Sequence, residues 1–425
     1  MFLYTISLAI TKCCFLLLYY HTNNTVFGIT AQQLLYYLPL LPSAMSAILY
    51  GILMNTAAGF IFIILLSISL AVLYGGKFVI FLLCIISLSI GMITSVRARR
   101  RTHLIRAGLL IGLIQSLCIV AIGLIFNKPF NLLPLQSLMG VVNGFLAAFF
   151  AAGLLPIVEY MFKVTTDIRL LELSDLNHPL LKKLIIEAPG TYHHSLIVAN
   201  IAEAAAEVVG ANPLLTRVGA YFHDIGKLKK PEYFSENEWR GKSRHDDLIP
   251  SMSSLIIISH VKDGVDLARK YRLNKEIVDI IEQHHGTGVV YFFYKRAEIA
   301  KQENQKINED EYRYPGPCPQ SKEAAIILIA DAVEAASRSL DRPTPARIKK
   351  LIQDIINARI AASQLDDCQL TLKDLAKIKE CFSFILTGIF HTRPKYPKEE
   401  ETIKQELISN GNSNKRPAEK VQDTQ

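Results

Sequence analysis

"YFHDIGKLKK", Tyr221 to Lys230, sets a histidine and an aspartate side by side and follows them with a glycine and three lysines. The stretch reads as the end of a helix: His223 and Asp224 occupy its last turn, Gly226 lets the chain leave it, and Lys227 follows at once. Adjacent His and Asp can serve one metal centre if the carboxylate bridges to a second ion, and a nearby lysine meets an anionic phosphate. A lone pair of this kind proves little, so the residues around it decide.

Working outward, "SLIVANIAEAAAEVVGANP" has Ile197, Val198, Ile201, Ala205 and Val208 at helical spacing, closed by Gly210 and Pro213. His194 stands at the head of that helix on the same face, so it should look into the core. His260 lies in the apolar "SLIIISHVKDG", and His284 and His285 end "KEIVDIIEQHHGTG". Asp331 interrupts "EAAIILIADAVEAA", a helix apolar on nearly every face. A carboxylate ionised there without a partner would cost several kcal/mol or be protonated, so a cation is the natural partner. Taken singly, an apolar-face histidine is more often a satisfied core residue, and Asp331 could equally join a helix-to-helix salt bridge. Five histidines and two aspartates, each at a helix end or on an apolar face of one domain, point to a metal site. Further helices are predicted over Pro213–Ile225, Ser251–Tyr271, Lys275–His284, Ser321–Leu340, Pro345–Ala362 and Leu372–Phe390, with no alternating strand pattern, so this part is all-α.

The first 166 residues differ in kind. Their only acid is Glu159, against nine bases, whereas the rest of the chain balances 37 bases with 37 acids. The pI of about 9 therefore belongs to the apolar part, and with a mean hydropathy of +0.26 the chain reads as a membrane protein. A nucleic-acid-polymer partner is excluded, because the soluble part holds no positive excess to neutralise phosphates. Runs long enough to cross a bilayer begin at Phe2, Leu35, Ala57, Phe78, Ala107 and Leu135, so about six transmembrane helices are expected in a polytopic bundle. "RARRR", Arg97 to Arg101, between the fourth and fifth spans should stay cytoplasmic, which puts both termini and the metal-site domain in the cytoplasm. No span has a central carboxylate or charge ladder, which argues for an anchor or sensor and against a transporter. Seven scattered cysteines without a CxxC pair suggest neither disulfides nor zinc. The organisation is then a transmembrane region over 1–163, a connector over 164–192, the soluble domain over 193–393, and a polar tail over 394–425 whose composition predicts disorder.

The ordered series H, HD, H, HH, D resembles the HD phosphohydrolase superfamily. "IEAPGTYHHS", "VGAYFHDIGKLKKPEYF", "HDDLIPSMSSLIIISHVKDGV", "IIEQHHGTG" and "RPTPARI" are similar to the membrane-anchored 7TM-HD family, whose characterised members are cyclic di-AMP phosphodiesterases, the PgpH group. The resemblance implies two divalent ions, iron or manganese, with His194, His223, Asp224 and Asp331 on one. Asp224 bridges to the second, held by His260 and His284, and His285 is either a ligand or a phosphate contact. Lys227 binds the scissile phosphate. The implied substrate is cyclic di-AMP and the product linear pApA, at the bacterial inner (cytoplasmic) membrane, in contact with membrane lipid, with a homo-oligomer left open.

For substrate contacts, Arg244 and His245, with Arg240 and Lys242 on the same loop and the aromatic run Tyr291 to Tyr294, are candidates, each equally readable as solvated loop or core. Members of the family usually carry a large extracellular domain after the first span. Only His21 to Gln33 is available there, too short to fold, so either this is a naturally shortened member or the sequence starts late. Other phosphoesters remain as rival substrates, although "HHGTGVVYF" lacks the GYP signature of the enzymes that cleave cyclic di-GMP. A non-catalytic nucleotide receptor is the rival of another class, and the complete ligand set counts against it.

Overall fold

The computed structural model describes residues 2–21, 25–26, 29–30, 37, 40–54, 56–96, 98–238, 243–300, 307–341 and 343–390. The tail from 394, Arg240 and Lys242 lie outside these residues, as does most of the segment His21 to Gln33.

The apolar part folds as α1 (Phe2–His21), a two-residue antiparallel pairing of Thr25–Val26 with Ile29–Thr30, α2 (Leu41–Leu53), α3 (Thr56–Leu73), α4 (Phe78–Ser95), α5 (Arg101–Ile125) and α6 (Leu133–Phe162). Helices α3 to α6 are each long and apolar enough to span a membrane, and only 33% to 44% of their apolar windows is buried within the protein. Their outer faces carry Ile61, Val72, Leu117 and Phe149 to the surface, each more than 60% exposed. Lipid is the solvent that tolerates such a face, and the chain is a membrane protein. Of the predicted second span, from Leu35, residues 35, 36, 38 and 39 lie outside the described residues; the described helix is the 13-residue α2, with Pro42 in its first turn and most of its length buried among its neighbours. At the helical rise it reaches about 20 Å, short of the hydrocarbon thickness.

Between α5 and α6 the backbones touch. A Cβ on Gly144 would lie 2.2 Å from the Gly108 carbonyl oxygen, and one on Gly108 would lie 2.4 Å from that of Gly144. This is the close packing that small residues allow in lipid. A buried polar line crosses the bundle there: the Asn143 amide donates to Gln115 Oε1 at 2.7 Å, and the Gln115 amide reaches Ser87 Oγ at 3.5 Å.

The remainder is α7 (Asp167–Leu173), α8 (Pro179–Glu187), α9 (Pro189–Val209), α10 (Pro213–Phe222), α11 (Pro250–Lys270), α12 (Lys275–Gln283), α13 (Tyr291–Ala300), α14 (Lys322–Arg338), α15 (Pro345–Ala361) and α16 (Leu372–Ile389). Of these, α10, α11, α12, α14, α15 and α16 follow the predicted helices within a few residues, α9 begins at Pro189, ahead of His194, and α7, α8 and α13 were not among the helices predicted one by one. Gly210 ends α9 in the left-handed conformation, φ 69°. One core gathers α9, α14, α15 and α16, through Val198, Ile201, Ile352 and Phe382. In α14 every residue from Ala324 to Ala330 is buried, which is why the helix is apolar all round. A second core gathers α7, α8, α10, α11 and α12 through Leu170, Leu180, Phe222, Val265 and Ile281. The HD pair sits at the seam, with Ala220 in the first core and Phe222 and Ile225 in the second.

Candidate metal centre

The HD pair ends α10 with His223 at its C-cap and Asp224 entering a 3-10 turn over Ile225–Lys229. Gly226 has a different role from the one its position suggests. It does not adopt the left-handed conformation used to leave a helix. Instead, a Cβ there would lie 1.8 Å from the His260 carbonyl oxygen and 2.6 Å from the Gly264 nitrogen. The glycine lets the HD turn press against the backbone of α11, and that contact brings His260 to Asp224.

Seven residues from five segments converge. Nε2 of His223 lies 3.2 Å and that of His194 3.6 Å from Asp224 Oδ2, while Nε2 of His260 and His284 lie 3.4 and 3.7 Å from Oδ1. Asp331 closes the other side: its Oδ1 is 3.0 Å from His194 Nε2 and 3.9 Å from His223 Nε2, and its Oδ2 is 3.6 Å from His285 Nδ1. Two donor sets result, His194–His223–Asp224 and Asp224–His260–His284–His285, and Asp224 belongs to both. His193 points to the surface.

The far nitrogen of each ring decides what the near one can do. Nδ1 of His223, His260 and His284 faces the carbonyl oxygen three residues back, of Ala220, Ile257 and Ile281, at 2.7, 2.5 and 2.8 Å. A carbonyl only accepts, so Nδ1 carries the proton and Nε2 presents a lone pair. Three lone pairs therefore converge on an ionised carboxylate, and the Nε2 atoms of His260 and His284 face each other at 3.3 Å. Both Asp224 oxygens and Nε2 of His194 and His223 are buried without a hydrogen-bond partner among the described residues. Such a set is costly unless cations fill it. The residues fit divalent metal ions, and imidazole mixed with carboxylate suits first-row transition metals.

The electrostatics agree. Burial pushes the His260 pKa down to about 4, with the neighbouring Asp224 and His284 exerting opposite pulls, and burial with His284 holds His285 well below its ordinary range. Both rings are thus neutral donors. Burial alone would raise the Asp224 carboxyl, but His223 and Lys227 outweigh it and hold it well below the carboxylate range; the Asp331 carboxyl is lowered likewise by His194 and His285. His194, squeezed between Asp331 and Glu334, has its pKa raised to about 10 against the opposing effect of burial.

Several contributors were missed in the sequence. Glu334, 2% exposed, holds His194 Nδ1 at 2.5 Å and is itself gripped by Arg338. It stands three residues after Asp331, one turn along the same face, and that spacing was the available signal. A carboxylate behind a metal-ligating imidazole orients it and raises its basicity. Replacing Glu334 by glutamine should lower metal affinity by about 10–100-fold, read by metal titration of the folded protein. Lys227 Nζ lies 2.8 Å from Asp224 Oδ2 and 2.8 Å from Glu236 Oε1, and although burial opposes it, these carboxylates raise its pKa. Glu236 also accepts from the Thr191 hydroxyl at 3.0 Å, tying the loop to the start of α9. Tyr314 stacks on His285 at 4.3 Å between centroids.

Arg244 and His245 are not brought to this cluster. Arg244 is exposed near Glu232, and His245 is buried with Nε2 2.8 Å from the Tyr233 carbonyl oxygen and its ring against Phe293. A short 3-10 turn fixes them to the flank of α13, where Phe293 is core and Tyr291 and Phe292 are exposed.

The chain is similar to the cyclic-di-AMP phosphodiesterase PgpH of Bacillus subtilis, 44% identical over 373 residues, covering 86% of this chain and 52% of the relative. It is also similar to the cyclic-di-AMP phosphodiesterase PgpH of Listeria monocytogenes, 39% identical over 370 residues, 85% of this chain and 51% of the relative. The chain spans about half the length of these curated relatives. A crystal structure of the L. monocytogenes phosphodiesterase PgpH HD domain in complex with cyclic-di-AMP matches at 46% identity and a TM-score of 0.49, covering 51% of this chain and all of that one. Residues 191–336 match the HD domain and residues 1–166 match the 7TM receptor with intracellular HD hydrolase. By the family models, the chain joins a membrane region of the 7TM receptor with intracellular HD hydrolase type over residues 1–166 to an HD domain over residues 191–336.

Proposed function

We propose that this protein is a metal-dependent phosphodiesterase that hydrolyses cyclic di-AMP to linear pApA. The observation that carries the chemistry is Asp224: one buried carboxylate shared by two donor sets, with the Nε2 lone pairs of His223, His260 and His284 aimed at it. The substrate rests on the activity for which the relatives at 44% and 39% identity are named.

His194, His223, Asp224 and Asp331 would hold one ion and Asp224, His260 and His284 the other, iron or manganese, with His285 a further ligand or a phosphate contact. Bound there, two cations polarise a phosphodiester and lower the pKa of a water so that it attacks at neutral pH. The chain's own part is to fix the donors. Three carbonyls and Glu334 set the tautomers, and the Gly226 contact holds α11 against the HD turn. Lys227 reaches the same space with its ammonium and is the residue assigned to the scissile phosphate. In that role it exchanges Asp224 for the substrate and keeps Glu236 as its anchor, so the lysine stays charged and oriented.

The domain is proposed to face the cytoplasm of a bacterial inner membrane. Arg101 of the basic cluster reaches Glu172 of α7 at 2.9 Å, so the cluster and the HD domain share one side of the membrane, the side that positive charge marks as inside.

The test is the full chain in detergent, loaded with Mn or Fe and given cyclic di-AMP or cyclic di-GMP, with products separated by chromatography. Conversion of cyclic di-AMP alone to pApA, lost on chelation and restored by adding the metal back, is the expected result. Turnover of cyclic di-GMP in preference would overturn the substrate, and undiminished turnover after complete metal removal would overturn the mechanism.

A further inference from the structure

Where the span bundle meets the HD domain there is a cavity of about 1040 Å³, remote in function from the metal cluster. Its lining combines apolar and basic side chains: Leu155, Tyr160, Met161 and Leu273 with Arg101, Lys163, Arg169, Arg272 and Lys275, and Glu159 and Glu172 as the acids. Helix α6 has 30 residues, about 45 Å at the helical rise, so it overruns the hydrocarbon and carries its end, with Tyr160 87% exposed and Met161 56% exposed, to the depth of the headgroups.

The cations are not equivalent. Arg101 and Arg169 are engaged by Glu172, at 2.9 and 3.3 Å, and Lys275 faces Asp279 at 3.5 Å. Lys163 and Arg272 make no ion pair among the described residues. Both also adopt left-handed backbone conformations, φ 52° and 55°, just past the ends of α6 and α11, where glycine is the usual occupant. Two helix ends that would accept glycine at lower conformational cost instead present unpaired cations to one cavity. The combination of free positive charge, apolar lining residues and headgroup depth selects an amphiphile with an anionic head.

We propose that this cavity seats the phosphate headgroup of an anionic phospholipid from the adjacent leaflet, with its acyl chains against the end of α6. The inference rests on the membrane-spanning architecture and is independent of the hydrolytic reading. The seat lies on elements that lead to the metal cluster. α7 joins the two bodies, with Ile168 in the membrane core and Leu170 and Leu173 in the HD core, and the wall at Leu273 and Lys275 opens α12, which ends at His284.

The experiment uses the full chain in nanodiscs of phosphatidylcholine mixed with phosphatidylglycerol, counting retained lipid by native mass spectrometry after detergent extraction. The wild type should retain phosphatidylglycerol in preference to phosphatidylcholine. The Lys163→Gly, Arg272→Gly double variant should lose affinity by about fivefold for each cation removed. Because both positions favour glycine, its thermal midpoint should not fall, which keeps misfolding from imitating the result. Arg99→Gln, on the same side but outside the cavity lining, should bind as the wild type does. The proposal is overturned if the wild type shows no preference, if the double variant retains phosphatidylglycerol undiminished, or if Arg99→Gln loses as much, which would indicate general surface charge. Displacement of the lipid by millimolar glycerol phosphate would overturn the lipid assignment in favour of a soluble phosphate.

Discussion

Replacing Asp224 by alanine should abolish cyclic di-AMP hydrolysis, by about 10³-fold or more, and should remove bound metal from both positions at once. No other residue belongs to both donor sets, so a variant such as His284→Ala should deplete one position while Asp224→Ala depletes two. The substitution also takes from the buried Lys227 ammonium one of its two carboxylate partners, leaving Glu236, and a buried charge that loses a partner is destabilising. Metal content per chain by elemental analysis, turnover by chromatography and a thermal melt separate these effects. An Asp224→Ala protein that keeps two metal ions and full turnover would refute the assignment of the site.

Gly226→Ala adds one methyl group and should be nearly as damaging. The added Cβ would meet the His260 carbonyl oxygen at 1.8 Å and the Gly264 nitrogen at 2.6 Å. These are backbone atoms in the middle of α11, which cannot rotate away as a side chain would. Either the HD turn or the helix has to move, at a cost of about 3 kcal/mol, or a fall of roughly 6–12 °C in the thermal midpoint for a domain of this size. His260 and Lys227 are carried on the two surfaces forced apart. A shift of about 1 Å in reacting groups costs on the order of 100-fold in rate, so activity should fall even where the variant remains folded. A thermal midpoint equal to the wild type would show that the turn and α11 are not in the contact described.

Much of this cluster was legible along the chain because each candidate ligand violates its surroundings. His194, His260 and Asp331 interrupt apolar helical faces, and His223, Asp224, His284 and His285 crowd helix ends, positions where a polar side chain must be explained. The membrane part was legible for a related reason: a helix whose solvent is lipid is apolar on the face that an aqueous protein would make polar. The second span is described only from Leu41 to Leu53, with Pro42 in its first turn, and most of its start from Leu35 lies outside the described residues. Glu334 was passed over because a glutamate on a helix is ordinarily solvent-facing, and only the packing of α9 against α14 turns it to His194. Arg244 and His245 stand apart from the residues around Asp224, because the loop that carries them packs on α13, and loop composition does not say which way a loop folds.

The sequence by itself determined the division into a membrane bundle and a helical HD domain, together with the identity of the residues gathered around Asp224, because hydropathy and periodicity are local properties that survive in one dimension. Tertiary structure alone decided the tautomers, the partition of donors into two sets sharing one carboxylate, the pairing of Lys227 with Glu236, and the meaning of Gly226. Each of these depends on distances between segments tens of residues apart, set by how two cores pack against the HD turn, and no local pattern encodes such a distance.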